Sequence, residues 1–358
     1  MTTLTSQKTT TEPYFLQSDQ WVTAWLAANT VNHFAYKIEV CDGNVAISGW
    51  LLQYPYVFGK SFFLLSKGPI FSDPSNPKSD ALLVQFFQKM KELATSHQAV
   101  FLKWEPGLES TTHLELHLQP QAWLTQFYPQ NQIVFPASRI QFLATIVLDI
   151  LNVSPESTAS IDPTNISQLG LFYEQNSSFW KQRNSNVQRY TKKALQQNWA
   201  ISTEKTVENF EAFWQVHQQT SVNQGFASYP KSYYLALFQQ ECSRIIIVSD
   251  PENTPQSVWF GVSIGNSLVY LYGGNTEYSK SHFGQYLSHL VAITMAKNEQ
   301  KHVYDLGGWH AGEGYSKFKE NYHGTIVQWS DPVDVIFQPF VYGFVRFLQS
   351  IRSLFRKR

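Results

Sequence analysis

Two stretches of this 358-residue chain follow one plan, and that repetition is the feature that most constrains its fold. In the first stretch, Val45 to Leu52 and Ser61 to Ser66 read as strands joined by a turn around Tyr54-Pro55. A Pro-containing loop follows, and Ala81 to Ser96 then carries Leu82, Phe86, Met90 and Leu93 at helical spacing. Ala99 to Trp104 is a short apolar strand that ends at Glu105-Pro106. In the second stretch, Ser257 to Ile264 and Leu268 to Tyr272 flank Gly265-Asn266, a pair suited to a tight hairpin. A helix from Gly284 to Lys297 and a strand from His302 to Leu306 follow, closing at Gly307-Gly308. Strand, hairpin, strand, loop, helix, strand occurring twice predicts a duplicated α/β unit. Helical segments at Ser18 to Asn29 and Val207 to Gln219 lie upstream of the two stretches.

Composition fits two globular domains. Apolar residues make up 43% of the chain and charged residues 15%, enough for real cores. Twenty-seven basic and 27 acidic residues cancel, so no global field draws in nucleic acid and any such binding needs a local patch. Cys41 and Cys242 stand far apart, and the ten histidines show no paired zinc pattern, so the expectation is a reduced, metal-free protein. Met1 to Pro13 lacks the apolar core of a signal peptide, and no apolar run approaches a bilayer span. A cytoplasmic protein is expected. The Ser-, Pro-, Asn- and Thr-rich segment Asn152 to Ser167 reads as a linker or surface insertion.

Several short motifs occur in a fixed order. Phe15-Leu16-Gln17-Ser18 precedes Trp21, Ser66-Lys67-Gly68-Pro69-Ile70 makes a turn, and Phe101 to Pro106 ends a strand in an acid. Ile140-Gln141-Phe142 leads towards Leu148-Asp149, and Arg189 to Ala194 begins a basic helix. Phe213 to Phe226, Tyr270-Leu271-Tyr272-Gly273-Gly274, and Tyr304 to Trp309 followed by Gly314 to Lys319 complete the series. Together they resemble the FemABX peptidyltransferases from Phe15 to Gly324. Asn223 and Asn275 depart from the usual pattern, and no long heptad-patterned arm is present.

The resemblance implies two tandem GNAT-like domains of the α/β (α+β) class. The first covers residues 1–150 and is completed by 325–358; the second covers 151–324. It implies transfer of an aminoacyl group from tRNA to an amine on the stem peptide of a peptidoglycan precursor, lipid-linked or UDP-linked. Aminoacyl-tRNA is then a co-substrate and no cofactor is needed. The alternatives are a GNAT-type N-acyltransferase acting on another amine and a non-catalytic protein that binds the precursor. A coenzyme A site is disfavoured by Ser281 to Tyr286, which has one glycine, no basic entry residue and a bulky tyrosine.

Lys319 is the candidate catalytic residue. Aminolysis of an ester passes through a tetrahedral oxyanion, where a fixed cation is of most value. The matching lysine of the family serves there, with the Phe318 peptide shaping the groove. Lys317 and Glu320 beside it equally suit a solvated surface. Glu105 is placed to hold a substrate amine or peptide, or to cap a turn. Gly307 and Gly308 remove side chains where something must approach the backbone. Asp305 reads as an orienter of that loop. Tyr270 and Tyr272 alternate onto one face of a strand and are candidates to line the groove. Arg189, Lys192 and Lys193, with Lys181 and Arg183, form an acid-free run suited to a substrate diphosphate or the tRNA backbone.

The C-terminal segment, from about Gln338 to Arg358, reads as a helix. Phe344, Phe347, Leu348, Ile351, Leu354 and Phe355 share one of its faces, and five basic residues from Arg346 onward meet no acid. Such a helix packs on the first domain or lies on the inner face of the plasma membrane as a peripheral contact.

Overall fold

The repeated strand order becomes two sheets. The computed structural model describes residues 14–29, 31–73, 76–107, 124–125, 128–136, 139–153 and 160–356. The chain divides into one unit of Met1–Gln141 with Gln328–Arg358 and another of Phe142–Val327. Part of the 152–167 linker, residues 154–159, lies outside the described residues.

In the first unit the strands are β1 (Phe34–Asp42), β2 (Val45–Pro55), β3 (Ser61–Ser66), β4 (Ile70–Phe71), β5 (Ala99–Glu105), β6 (Ile133–Val134) and β14 (Val333–Ile336). Their order is β1-β2-β3-β5-β14-β6, with β4 on β2. β3 and β5 are parallel because the helix Lys78–Ser96 carries the chain back between them. That helix buries Leu82, Leu83, Phe86, Phe87 and Met90 in the core beneath the sheet.

The second unit contains β7 (Ala144–Asp149), β8 (Ala200–Ser202), β9 (Ser243–Ser249), β10 (Pro255–Ile264), β11 (Ser267–Asn275), β12 (Val303–Trp309) and β13 (Thr325–Gln328). Their order is β13-β7-β12-β11-β10-β9-β8. The tight turn at Gly265-Asn266 sets the β10–β11 register, pairing Ile264 with Ser267. β11 and β12 run parallel, joined through the helix Gly284–Asn298, which is buried along most of its length. The pairing series antiparallel, antiparallel, parallel, antiparallel therefore occurs in both sheets: β1/β2/β3/β5/β14 and β9/β10/β11/β12/β7.

β7 lies within the 1–150 range read from the sequence as the first domain, yet it pairs with β12 from Ala144 to Asp149. In return β14, from the C-terminal segment, closes on β5 with Asp334 opposite Lys103. Lys103 Nζ donates to Asp334 Oδ1 at 2.7 Å, and the Tyr342 hydroxyl donates to Oδ2 at 2.8 Å. Burial pushes the Asp334 carboxyl up, and Lys103 opposes that shift.

The helix Pro339–Arg356 turns Tyr342 and Val345 inward. Phe340, Phe344, Phe347 and Leu348 remain exposed, Phe340 at 94%, and Phe58, 74% exposed, lies 6.3 Å from Phe344 between ring centroids. Phe344, Phe347 and Leu348 of the expected apolar face are therefore exposed, while the side chains of Ile351, Leu354 and Phe355 lie outside the described residues.

Asp334→Ala leaves Lys103 as a buried charge without its carboxylate, which costs roughly 3–5 kcal/mol. Urea unfolding should show that loss, whereas Lys103→Met with Asp334→Leu and Tyr342→Phe, which removes the three polar groups together, should come close to the parent stability.

Candidate active site

β11 and β12 cease to pair after Val269↔Asp305, and the site is built just beyond that point. Asp305 Oδ1 accepts the Gly307 N–H at 2.7 Å and a short hydrogen bond from the Thr145 hydroxyl of β7. This fixes the turn of the backbone at the strand end, the orienting role expected of Asp305. Gly307 has φ +73, and a Cβ there would lie 2.3 Å from the Tyr270 carbonyl oxygen. A Cβ on Gly308 would fall 2.2 Å from the Phe142 ring. The groups that approach these glycines closely are the protein's own carbonyl and ring.

Lys319, on the helix Gly314–Glu320, reaches back to this strand end. Only 8% of the residue is exposed, so it is not the solvated surface lysine its neighbours suggest. Its Nζ donates to the Gly308 carbonyl at 2.7 Å, and among the described residues that is its one hydrogen-bond partner. The ammonium also lies 5.6 Å from the centre of the Tyr270 ring and 5.4 Å from that of Tyr315. Burial pulls its pKa down to about 8, with the Asp305 carboxylate opposing the shift.

Aromatic groups wall the lysine. Phe318 packs on Tyr286, His289 and Tyr322. Burial, and secondarily the Lys319 charge, drive the His289 pKa down to about 3, so its ring is neutral. The indole N–H of Trp259 donates to the Tyr304 hydroxyl at 3.0 Å, and that oxygen lies 2.6 Å from His289 Nδ1. With Trp259 as donor, the Tyr304 proton goes to Nδ1, which assigns the histidine proton to Nε2. The sequence reading passed over both Trp259 and His289; only their positions on a strand and a buried helix mark them.

The remaining candidates disperse. Tyr270 stacks on Trp259 and meets His289, but Tyr272 stacks on Phe260 and meets Tyr234. The two tyrosines therefore occupy opposite faces, contrary to the simple alternation of a strand. A bulge between Phe260/Gly261 and the facing Tyr272/Tyr270 pairs leaves Leu271 unmatched and reverses the pattern. Tyr272 joins a separate cluster, its hydroxyl 3.1 Å from that of Tyr233, with His217 Nε2 2.9 Å from the Tyr234 hydroxyl.

Arg189, Lys192 and Lys193 are exposed on the helix Ser185–Leu195, whose Val187, Thr191 and Ala194 face inward. Lys192 lies 3.6 Å from Glu174, while Arg189 donates to Asn186 and to the Tyr190 hydroxyl. Arg183 leaves the run: it is buried, donates to the Tyr322 and His323 carbonyls and lies over Phe179. Glu105 is buried in the first unit, accepting from Ser66 Oγ and from the Ile140 and Gln141 N–H groups. Among the described residues no group of three or more potential metal ligands comes together.

A strand end with paired glycines, a buried ammonium and two sheets of one pairing series define a tandem GNAT-like protein. The chain matches the FemAB family model over residues 5–248 and 239–350, and it belongs to that family. Family members are transferases that form peptidoglycan bridges. The crystal structure of FemX superposes with a TM-score of 0.72 at 13% identity, spanning 94% of this chain and 96% of that one. A tandem GNAT protein from the clavulanic acid biosynthesis pathway gives 0.52 at 9% identity, over 91% of this chain and 90% of its own. No curated protein matches by sequence.

Gly307→Ala should lose more than the roughly 1–3 kcal/mol of backbone strain alone, because its Cβ also meets the Tyr270 carbonyl. Gly312→Ala, at φ +88 with open space around it, isolates the strain component. Equal losses for the two variants in urea unfolding would contradict the close approach.

Proposed function

We propose that the chain transfers an aminoacyl group from tRNA to an amine of a peptidoglycan-precursor stem peptide, without a cofactor. Membership of a bridge-forming family supports the reaction class. The observation that carries the chemistry is the Lys319 ammonium, buried among aromatic rings with one N–H on the Gly308 carbonyl. An ammonium has three donors, so two remain for the oxygen of a reacting carbonyl. In the reaction, the acceptor amine forms the new C–N bond and the ester's carbonyl oxygen becomes an oxyanion facing that cation. The C–O bond to the tRNA ribose then breaks, the leaving oxygen takes a proton and the amine loses one. A cation already desolvated and held in place stabilises the oxyanion without reorganisation. Phe318, Tyr270 and the Gly307-Gly308 backbone shape this pocket, and Arg189, Lys192 and Lys193 serve phosphate groups of the substrates. Glu105 holds a first-unit loop through Ser66 and two backbone N–H groups.

Acyl transfer from coenzyme A is the less favoured reading. At the helix N-terminus where a pyrophosphate would sit, a Cβ on Gly284 would lie 2.6 Å from Ser279 Oγ, so the single glycine is needed for packing. Tyr286, two residues on, is buried.

Lys319→Ala should reduce kcat on charged tRNA by roughly 10²–10³, as loss of an oxyanion donor does, with a smaller change in KM. The ammonium form is the active one, so rate should fall as pH rises through about 8, where Lys319 deprotonates. Lys319→Arg, which cannot deprotonate in this range, should lose that alkaline limb. Near-normal turnover by the alanine variant removes Lys319 from the chemistry.

Peripheral membrane contact through the C-terminal helix belongs to the same reading, since a lipid-linked acceptor resides at a bilayer. Its support is the outward face of Phe340, Phe344, Phe347 and Leu348, with Arg346, Arg352, Arg356, Lys357 and Arg358 in the same acid-free segment. Each basic residue near an anionic surface contributes about 1 kcal/mol. No helix among the described residues is long and apolar enough to cross a membrane. Phe340→Ser with Phe344→Ser and Phe347→Ser should abolish sedimentation with anionic liposomes at low salt and leave turnover on a soluble precursor intact. Absence of liposome binding by the parent protein would end this part of the reading.

A further inference from the structure

The first unit contains its own buried lysine at the corresponding end of its own parallel strand pair. Ser66 of β3 lies beside Glu105 of β5, and the next residue, Lys67, donates its backbone N–H to the Glu105 carbonyl at 2.7 Å. Lys67 takes φ +55, a conformation that non-glycine residues seldom adopt and that tends to mark functional sites. A Cβ on Gly107 would lie 2.3 Å from the Lys67 carbonyl oxygen, so this loop is clamped on both sides.

Around Lys67 the neighbouring polar groups are matched. Gln17 Nε2 donates to the Ser66 carbonyl at 2.6 Å, and Trp104 Nε1 donates to the Gly68 carbonyl at 2.8 Å. The Glu105 carboxylate accepts from the Ser66 hydroxyl and from two backbone N–H groups. The Lys67 ammonium is the exception. The residue is 5% exposed, its Nζ stands 4.5 Å from the centre of the Trp329 ring, and among the described residues it has no hydrogen-bond or ion-pair partner. Burial pulls its pKa down to about 7, and the charge of the Glu105 carboxylate opposes that shift. All three donors of this ammonium are left unused by the described residues, so they are free to meet a ligand oxygen.

We propose that Lys67, over the Trp329 ring, is the cationic anchor of an anion-binding site in the first unit, taking a carboxylate or phosphate oxygen. The indole face gives the ligand an apolar wall, and the Glu105 carboxylate, already filled by its three donors, holds the loop instead of binding the anion. Its occupancy is read at equilibrium without turnover. Failure here therefore leaves the transferase reading standing.

The test is calorimetric titration of the full chain with three probes: a short peptide with a free C-terminal carboxylate, the same peptide as its C-terminal amide, and inorganic phosphate. Binding of the free peptide but not the amide assigns a peptide carboxylate, and binding of phosphate alone assigns a phosphate source. In either case Lys67→Met should weaken binding by roughly ten- to hundred-fold, the size of a lost charged hydrogen bond. Lys67→Arg should retain most of it. The Met variant removes a buried charge at similar volume and should be at least as stable as the parent. If it fails to fold, the Lys67 side-chain NMR signals of the parent protein provide the reading, and they should shift on adding the probe. Unchanged affinity in Lys67→Met, or no probe that binds or moves the Lys67 signals, overturns the proposal.

Discussion

The structure turns on the cost of keeping an ammonium out of water. Lys319 is buried at the end of β12, and the groups around it offset part of that cost. Asp305 lies two residues before Gly307, holding the turn through the Gly307 N–H while its charge favours the ammonium. Gly307 adopts a left-handed conformation, and Gly308 turns its carbonyl onto Nζ. His289 sits in the same enclosure and stays neutral, so no second cation competes. The opposing effects, desolvation against one carbonyl and one carboxylate, leave the lysine charged at neutral pH but close to its limit.

Three buried lysines among the described residues show three degrees of compensation. Lys103 is closed by Asp334 across the β5–β14 pair, the arrangement of a purely structural charge. Lys319 is partly satisfied, by one carbonyl and the faces of Tyr270 and Tyr315. Among the described residues the Lys67 ammonium has a ring face and no hydrogen bond. The less a buried charge is compensated by the protein, the more a ligand has to supply. Lys67 and Lys319 both stand beyond a parallel strand pair but arrive by different routes: Lys67 directly follows β3, while Lys319 reaches back from the helix that comes after β12.

Much of this was legible in the sequence. The hairpin at Gly265-Asn266, the helices Lys78–Ser96 and Gly284–Asn298 and the strand ending in Gly307-Gly308 carry strong turn or periodicity signals. β14 was not legible, because four residues are too few for a period to register, although Asp334 within them secures the first sheet. Nor was the bulge opposite Phe260-Gly261, which separates Tyr270 from Tyr272; strand alternation is blind to one extra residue. Arg183 looked like part of a solvated basic run, and only the fold shows its guanidinium closing the Tyr322 and His323 carbonyls. The burial of Lys319 was equally hidden, since Lys317 and Glu320 beside it are ordinary surface residues. For the site, then, the sequence marked candidate residues, while their burial and contacts are made from far along the chain.

The most direct measurement is product analysis by mass after incubating the purified chain with pools of charged tRNA and purified peptidoglycan precursors, in parallel with acyl-CoA thioesters. The expected product is the precursor heavier by one amino-acid residue, formed from charged tRNA and not from the thioesters. Acyl transfer from the thioesters, with none from charged tRNA, would contradict the assignment of the donor and with it the proposed reaction.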